Sequence, residues 1–347
     1  MLALDYQARE IVVVNDGSSD DTLSVLKRTF ELLPAPLAYM QPIATQHVRG
    51  IYRSIREPGL VVIDKENGRC KADAANAGIN AASGELVLII DADTVLEPDA
   101  LSRAVMPFLE DPHTVAVGAN IAIVNGCSID DGRITDVALP RNWLARFQIM
   151  EYMRGFLLFR LGCALLNSVL IISGAFGLFR RDAVIAVGGY DPTAIGEDMD
   201  LTIRLQQYYR ARRKPFRIAF DPNALAWTQA PDEGVGPLLE LSGYVITTVA
   251  VVFGFLNWQH FQVLIVVSLL FGTAATLLAV LLSDIATQRY MGGRDLALLV
   301  VVAVLENFGY RQLNSWWGCV GTFQALTGTG GWGVMKRRAF AEEEAQV

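Results

Sequence analysis

The chain has 347 residues, 52% of them apolar and only 19% charged, and its 29 Lys and Arg against 36 Asp and Glu leave a net charge of −7. This length holds one large domain or two moderate ones, and the acidic balance argues against a nucleic-acid partner, which needs a basic face. Disorder, coiled coil and collagen are excluded by composition, and four scattered cysteines (Cys70, Cys127, Cys163, Cys319) without a C-x-x-C pair signal neither a disulfide framework nor a zinc site.

Residues 10–15 form a short β-branched run that predicts a buried strand, and Asp16-Gly-Ser-Ser-Asp20 turns the chain with capping residues. Leu23, Leu26, Phe30 and Leu33 then recur at helical spacing. Residues 60–63 read as a second strand, and the alanine-rich stretch 71–82 as a helix ended by Ser83-Gly84. Residues 85–90 give the strongest strand signal, with Asp91-Ala-Asp93 directly at its carboxyl end; Pro98 opens another helix and 114–124 returns as a strand. Strands alternating with helices predict an α/β domain with a mainly parallel sheet. Ligands bind beyond the carboxyl ends of strands in such sheets, so Asp16 and the Asp91/Asp93 pair are expected at one rim.

Beyond residue 231 the composition changes. Residues 237–256 carry one charge, Glu240, and residues 261–282 carry none; each run is about 20 residues, the length that crosses a hydrocarbon core. A third segment, 295–317, is apolar for only about ten residues before Glu306, Asn307 and Arg311 interrupt it, and remains open as a span. The link 283–295 carries Arg289 and Arg294, whereas 257–260 carries neither Lys nor Arg, so the positive-inside rule makes the N-terminal domain and the second link cytoplasmic. No signal peptide is read before the first strand. The tract 141–172 mixes Trp143, Phe147, Met150, Phe156 and Phe159 with Arg146, Arg154 and Arg160, and reads equally as a helix packed on the domain or one lying among lipid headgroups.

The chemistry-bearing residues are acidic. Asp91-x-Asp93 offers two carboxylates on one turn, suited to a hard divalent cation whose shell phosphate oxygens complete; turns and caps produce the same pattern without a metal. Lys71, Asp73 and Asn76 fall within one helical turn, where exposed polar residues require no function. Gly196-Glu197-Asp198-Met199-Asp200 opens an amphipathic helix, where capping alone favours acidic residues. The helix dipole lowers a carboxylate's pKa there, so a general base at this position needs burial or neighbouring carboxylates to raise it again. Gly328-Thr-Gly330-Gly-Trp-Gly333 fits a dinucleotide fingerprint but lacks a leading strand and a following helix. The three histidines show no ligand spacing, and the run 210–214 reads as a solvated or headgroup-facing surface.

Together, the Val-Val-Asn-Asp16-Gly-Ser turn, Asp64-Lys-Glu-Asn-Gly with Lys71-Ala-Asp73-Ala, the Asp91-Ala-Asp93 pair, Ser173-Gly-Ala-Phe-Gly and Gly196-Glu-Asp198 resemble the membrane-embedded family 2 glycosyltransferases, which include cellulose, hyaluronan and poly-N-acetylglucosamine synthases. The resemblance implies a GT-A-type (Rossmann-like) cytosolic domain over residues 1–232 and a membrane region over 233–347. It places the protein in the cell membrane, multi-pass, with membrane lipids as neighbours. It further implies a nucleotide-sugar donor, often UDP-linked, a saccharide or lipid acceptor, and Mg²⁺ or Mn²⁺. Carried over residue by residue, Asp16 and Asp73 hold the nucleoside and Asp91 the donor sugar or phosphate. Asp93, with Asp91, binds the metal, and Asp198 is the base. Ser173 and Gly174 lie near the acceptor, and Lys71 and Glu197 join the substrate-binding set.

Two departures accompany the resemblance. The family's opening strand has no counterpart here, which would uncover a sheet edge and remove part of the nucleotide pocket. No Q-x-x-R-W motif occurs, which would remove a clamp on acceptor and pyrophosphate. A metal-dependent inverting transferase therefore stands beside a paralogue that binds nucleotide sugar without turnover. A transporter, suggested by Glu306, Asn307 and Arg311 beside apolar segments, has too few spans for a pathway.

Overall fold

The computed structural model describes residues 1–2, 4–6, 9–35, 39–130, 132–194, 196–229, 258–287, 293–307 and 310. The expected span at 237–256, the end of the segment 295–317 and the glycine-rich tract at 328–333 lie outside them. The chain divides into two units, Met1–Asn120 with Arg160–Ala226, and Ile121–Phe159 with Trp227–Val347.

In chain order the elements are β1 (Ile11–Asp16), α1 (Thr22–Thr29), β2 (Leu32–Pro34), β3 (Val48–Ser54), β4 (Leu60–Lys65), α2 (Lys71–Ala81), β5 (Leu86–Ile89), β6 (Val95–Leu96), α3 (Ala100–Glu110) and β7 (Thr114–Ile123). They continue with β8 (Ser128–Asp130), β9 (Arg133–Asp136), α4 (Trp143–Tyr152), a π-helical stretch Met153–Arg160, α5 (Leu161–Leu165), β10 (Gly177–Arg180), α6 (Arg181–Ala186), α7 (Glu197–Ala211) and β11 (Arg217–Thr228). Among the described residues two apolar helices follow, α8 (Trp258–Thr287) and α9 (Gly293–Leu305).

The sheets are mixed, not mainly parallel as the alternating pattern predicts. Among the described residues one is ordered β1-β4-β3-β2, a second β5-β10-β7-β11-β6, and a third is the two-stranded pair β8-β9. β1 and β4 pair in parallel, from Ile11↔Leu60 to Asp16↔Lys65, but β3 runs antiparallel to both β4 and β2. Only residues 55–59 separate β3 from β4, far too few for a parallel crossover. β10 is antiparallel to β5 and to β7. The helix expected through Leu33 ends at Thr29, because Leu32–Pro34 pairs with β3 instead.

β4 is buried along its whole length, and Val62 and Ile63 have no solvent exposure. A larger core joins Ala72 and Ile79 of α2 to Val115, Ala116, Phe179, Val184, Leu201 and Leu205. α2 is held by two buried asparagines one turn apart. Asn76 donates to the Tyr190 carbonyl and accepts from its N–H, both at 2.8 Å. Asn80 donates to the Ile43 carbonyl at 2.8 Å and accepts from its N–H at 3.1 Å. The polar face of α2 is thus covered rather than exposed: Asp73 and Asn76 are buried because residues distant in sequence close over them.

In the second unit, Ile149, Met150 and Met153 pack with Ala279, Val280, Leu299, Val302 and Ala303. Within it Glu306, fully buried, accepts from Arg154 at 2.7 Å and from Thr276 at 2.6 Å. The run 261–282 lies inside α8, whose segment Leu269–Ala286 has the length and composition to cross a membrane and is only 28% buried. Val266, Leu270, Phe271, Leu281 and Ile285 are exposed along it.

Asn76→Ala removes both bonds to the Tyr190 backbone and strands a buried N–H and C=O. A stability loss of about 2–4 kcal/mol is expected, read as a lower denaturant midpoint at unchanged slope.

Candidate active site

Every site residue expected from sequence falls in the first unit, at or just after the ends of β1 and β5 and at or just before the starts of α2, β10 and α7. β1 ends on Asp16, and its parallel register sets Asp16 beside Lys65, the last residue of β4. Gly17 then turns the chain at φ +67°, a conformation that favours glycine; a Cβ there would stand 2.7 Å from the Asn67 backbone nitrogen.

The Lys65 side chain has no solvent exposure. Its ammonium contacts Asp16 Oδ1 and Asp73 Oδ2 and donates to the Glu66 carbonyl at 2.6 Å. Burial alone would lower the pKa of this lysine, but the two carboxylates outweigh that and raise it above the ordinary value. Both acids have further partners: Gly68 N–H donates to Asp16 Oδ1 at 3.0 Å, and Gln46 N–H to Asp73 Oδ1 at 3.0 Å. A Cβ on Gly68 would overlap the Asp73 carboxylate, so the loop between β4 and α2 wraps closely around this group.

A second constellation starts from the same turn of α2. Lys71 Nζ stands 2.5 Å from Asp91 Oδ1 and donates to the Gly174 carbonyl at 3.1 Å. Gly174 N–H donates to Asp198 Oδ2 at 2.9 Å, which leaves buried Asp198 Oδ1 without a hydrogen-bond partner. A Cβ at Gly174 would overlap the Lys71 ammonium and stand 2.7 Å from Asp198 Oδ2. Glu197 accepts from the Ala72 backbone N–H, which ties the start of α7 to the start of α2. Ser173 precedes this glycine, and Asp93 follows Asp91 on a turn closed by Thr94 N–H donating to the Asp91 carbonyl at 3.1 Å. Among the described residues, no group of three or more His, Cys, Asp or Glu has the arrangement of a metal site.

Glu197 and Asp198, the first two residues of α7, are perturbed in one direction. Burial raises the Asp198 pKa above the ordinary value and Asp91 adds to this, against the Lys71 ammonium, the Gly174 N–H and Arg160. Burial also raises Glu197, with Asp198 contributing and Lys71 opposing. The helix start that would normally acidify these groups is thus outweighed by desolvation.

Asp16 and Asp73 therefore meet at Lys65, Asp91 and Asp198 are linked through Lys71 and Gly174, and Lys71 and Asp73 share one helical turn. Lys65 is the residue that sequence reasoning missed. Its one signal was position, directly after the buried run 60–63 and Asp64 at the end of a strand.

The model of glycosyl transferase family 2 matches residues 1–188. The chain belongs to this family. Its fold is accordingly the GT-A type, with mixed sheets. A poly-beta-1,6-N-acetyl-D-glucosamine synthase of Staphylococcus aureus (strain COL) is 30% identical over 232 residues, 67% of this chain and 45% of that protein. The enzyme of the same name from Staphylococcus epidermidis is 29% identical over 232 residues, with the same coverage of each chain. The chain thus spans about half the length of these relatives. A solved mannosyltransferase, PcManGT from Pyrobaculum calidifontis in complex with GDP-Man and Mn²⁺, covers 95% of this chain and 81% of its own at 18% identity and a TM-score of 0.49.

Lys65→Met leaves Asp16 and Asp73 facing each other without a cation. Breaking a buried pair in this way costs about 3–5 kcal/mol, so the melting temperature is expected to drop well below that of the wild type, with Lys65→Arg intermediate.

Proposed function

We propose that the protein is an inverting glycosyltransferase that moves a sugar from a nucleotide-sugar donor, a UDP-sugar by preference, to a saccharide or lipid-linked acceptor at a membrane. The observation that carries this is Asp198: a buried carboxylate of raised pKa, anchored through Oδ2 and spare at Oδ1. An anchored carboxylate with one free oxygen and a raised pKa suits a general base. Family membership and the likeness to poly-N-acetylglucosamine synthases support the reaction class.

In this reading Asp16, Lys65 and Asp73 form the nucleoside end, and Lys71 and Asp91 the diphosphate end. Glu197 holds the start of α2 against α7, and Ser173 and Gly174 line the acceptor side. Asp198 Oδ1 takes the proton of an acceptor hydroxyl as its oxygen bonds to the anomeric carbon. The bond from that carbon to the diphosphate oxygen breaks on the opposite face, which inverts the configuration.

Asp91 and Asp93 would hold Mg²⁺ or Mn²⁺. They fit the ion as paired hard oxygen donors, and Asp91 already carries a cationic partner in Lys71. When bound, the ion neutralises charge on the leaving diphosphate.

The localisation we propose is a multi-pass cell-membrane protein, with residues up to about 232 on the cytoplasmic side and the apolar helices, α8 first, in the bilayer. The exposed aliphatic side chains of α8 support contact with lipid.

Purified protein with Mn²⁺, UDP-N-acetylglucosamine and an oligosaccharide acceptor is expected to release UDP. Asp198→Asn should lower the rate about 10²–10⁴-fold while retaining UDP binding, and Asp93→Ala should lose Mn²⁺ dependence with activity. The base must be deprotonated, so the rate falls on acidification with a midpoint above the ordinary aspartate value of about 3.9. UDP binding without turnover would make the protein a nucleotide-sugar-binding member of the family; an unchanged rate in Asp198→Asn would remove the base.

A further inference from the structure

Lys71, read above as part of the diphosphate end, is also bound to the protein's own acid. Its ammonium sits on Asp91, at 2.5 Å, and is tethered to the Gly174 carbonyl, while the N–H of the same glycine holds the base carboxylate. One side chain therefore joins the donor-side acid to the turn that positions Asp198.

The two lysines of this region differ in freedom. Lys65 is sealed, with no exposure, whereas the Lys71 side chain is 34% exposed and its partner Asp91 28%. A lysine is a compact charge on a four-carbon stem that can swing when its partner changes. A divalent ion and an ammonium on the same carboxylate repel each other at any protein dielectric. Binding of one must weaken or displace the other.

We propose that Lys71 is a resident counter-ion that occupies the place of the divalent cation on Asp91. It leaves that place when a nucleoside diphosphate offers its ammonium another anionic partner. Free metal then meets an occupied carboxylate, whereas metal arriving with nucleotide does not. The two ligands load together, and by linkage each tightens the other by the same factor. This rests on the reading of Asp91 and Asp93 as cation ligands.

Calorimetric titration of the full chain with Mn²⁺, alone and with saturating UDP, tests this in the wild type, Lys71→Met and Gly174→Ala. Without UDP, Lys71→Met is expected to bind Mn²⁺ about tenfold tighter than the wild type, because a repelling and competing charge is gone. UDP should then tighten Mn²⁺ binding less in the variant than in the wild type. Gly174→Ala crowds the ammonium off its seat with its charge retained, and should move Mn²⁺ affinity in the same direction by less. It reports independently should Lys71→Met fold poorly. Equal Mn²⁺ affinity without UDP in all three proteins, or an equal gain from UDP in the wild type and Lys71→Met, overturns the counter-ion role while leaving the cation site standing. No Mn²⁺ binding by any of the proteins under either condition removes the cation site itself, and the proposal with it.

Discussion

An ammonium ion without solvent contact must be matched by charge in place, and Lys65 is matched by Asp16 and Asp73 together. This requirement fixes more than a side chain. Asp16 closes β1, Lys65 closes β4 and Asp73 stands in the first turn of α2, so their meeting sets the end of the sheet against the start of the helix. The parallel register of β1 and β4 delivers two of the three groups side by side. The reciprocal bonds of Asn76 and Asn80 hold α2 in the orientation that delivers the third.

Once α2 is fixed, the rest of the site follows from its first turn. Lys71 reaches Asp91 on the loop after β5 and the carbonyl of Gly174 before β10, while the Ala72 N–H donates to Glu197. Asp198, one residue on, is drawn against Gly174 and desolvated there. Glycine at 174 is a packing requirement, since any side chain would displace either the Lys71 ammonium or the Asp198 carboxylate. The arrangement places a sealed cation at one end and a partly exposed one in the middle. Beyond them lies a carboxylate whose burial opposes its own ionisation.

Much of this was legible in the sequence because strand ends are where composition changes abruptly. The β-branched run before Asp16, the run before Asp91 and the acidic start of α7 each announce an element and a rim position at once. Strand direction was not legible. Val48–Ser54 carries two arginines and gives no strand signal, and Gly177–Arg180 is too short to register, yet these two strands make the sheets mixed. The burial of Asp73 and Asn76 was also hidden. Helical periodicity puts them on one polar face, and the segments that cover that face, around Ile43–Gln46 and Tyr190, are far away along the chain. Lys65 was missed for a related reason: a lysine ending a strand usually points to water, and only the two acids arriving from other elements make its burial tenable. The π-helical turn at Met153–Arg160 has no signature in composition.

Anomalous diffraction at the manganese edge, from crystals grown with UDP and Mn²⁺, reads the shared-pocket claim directly. A metal peak is expected on the Asp91–Asp93 turn, with the nucleoside running toward Asp16 and Asp73 and the Lys71 ammonium on phosphate. Nucleotide and metal bound at a place touching none of these carboxylates would contradict it.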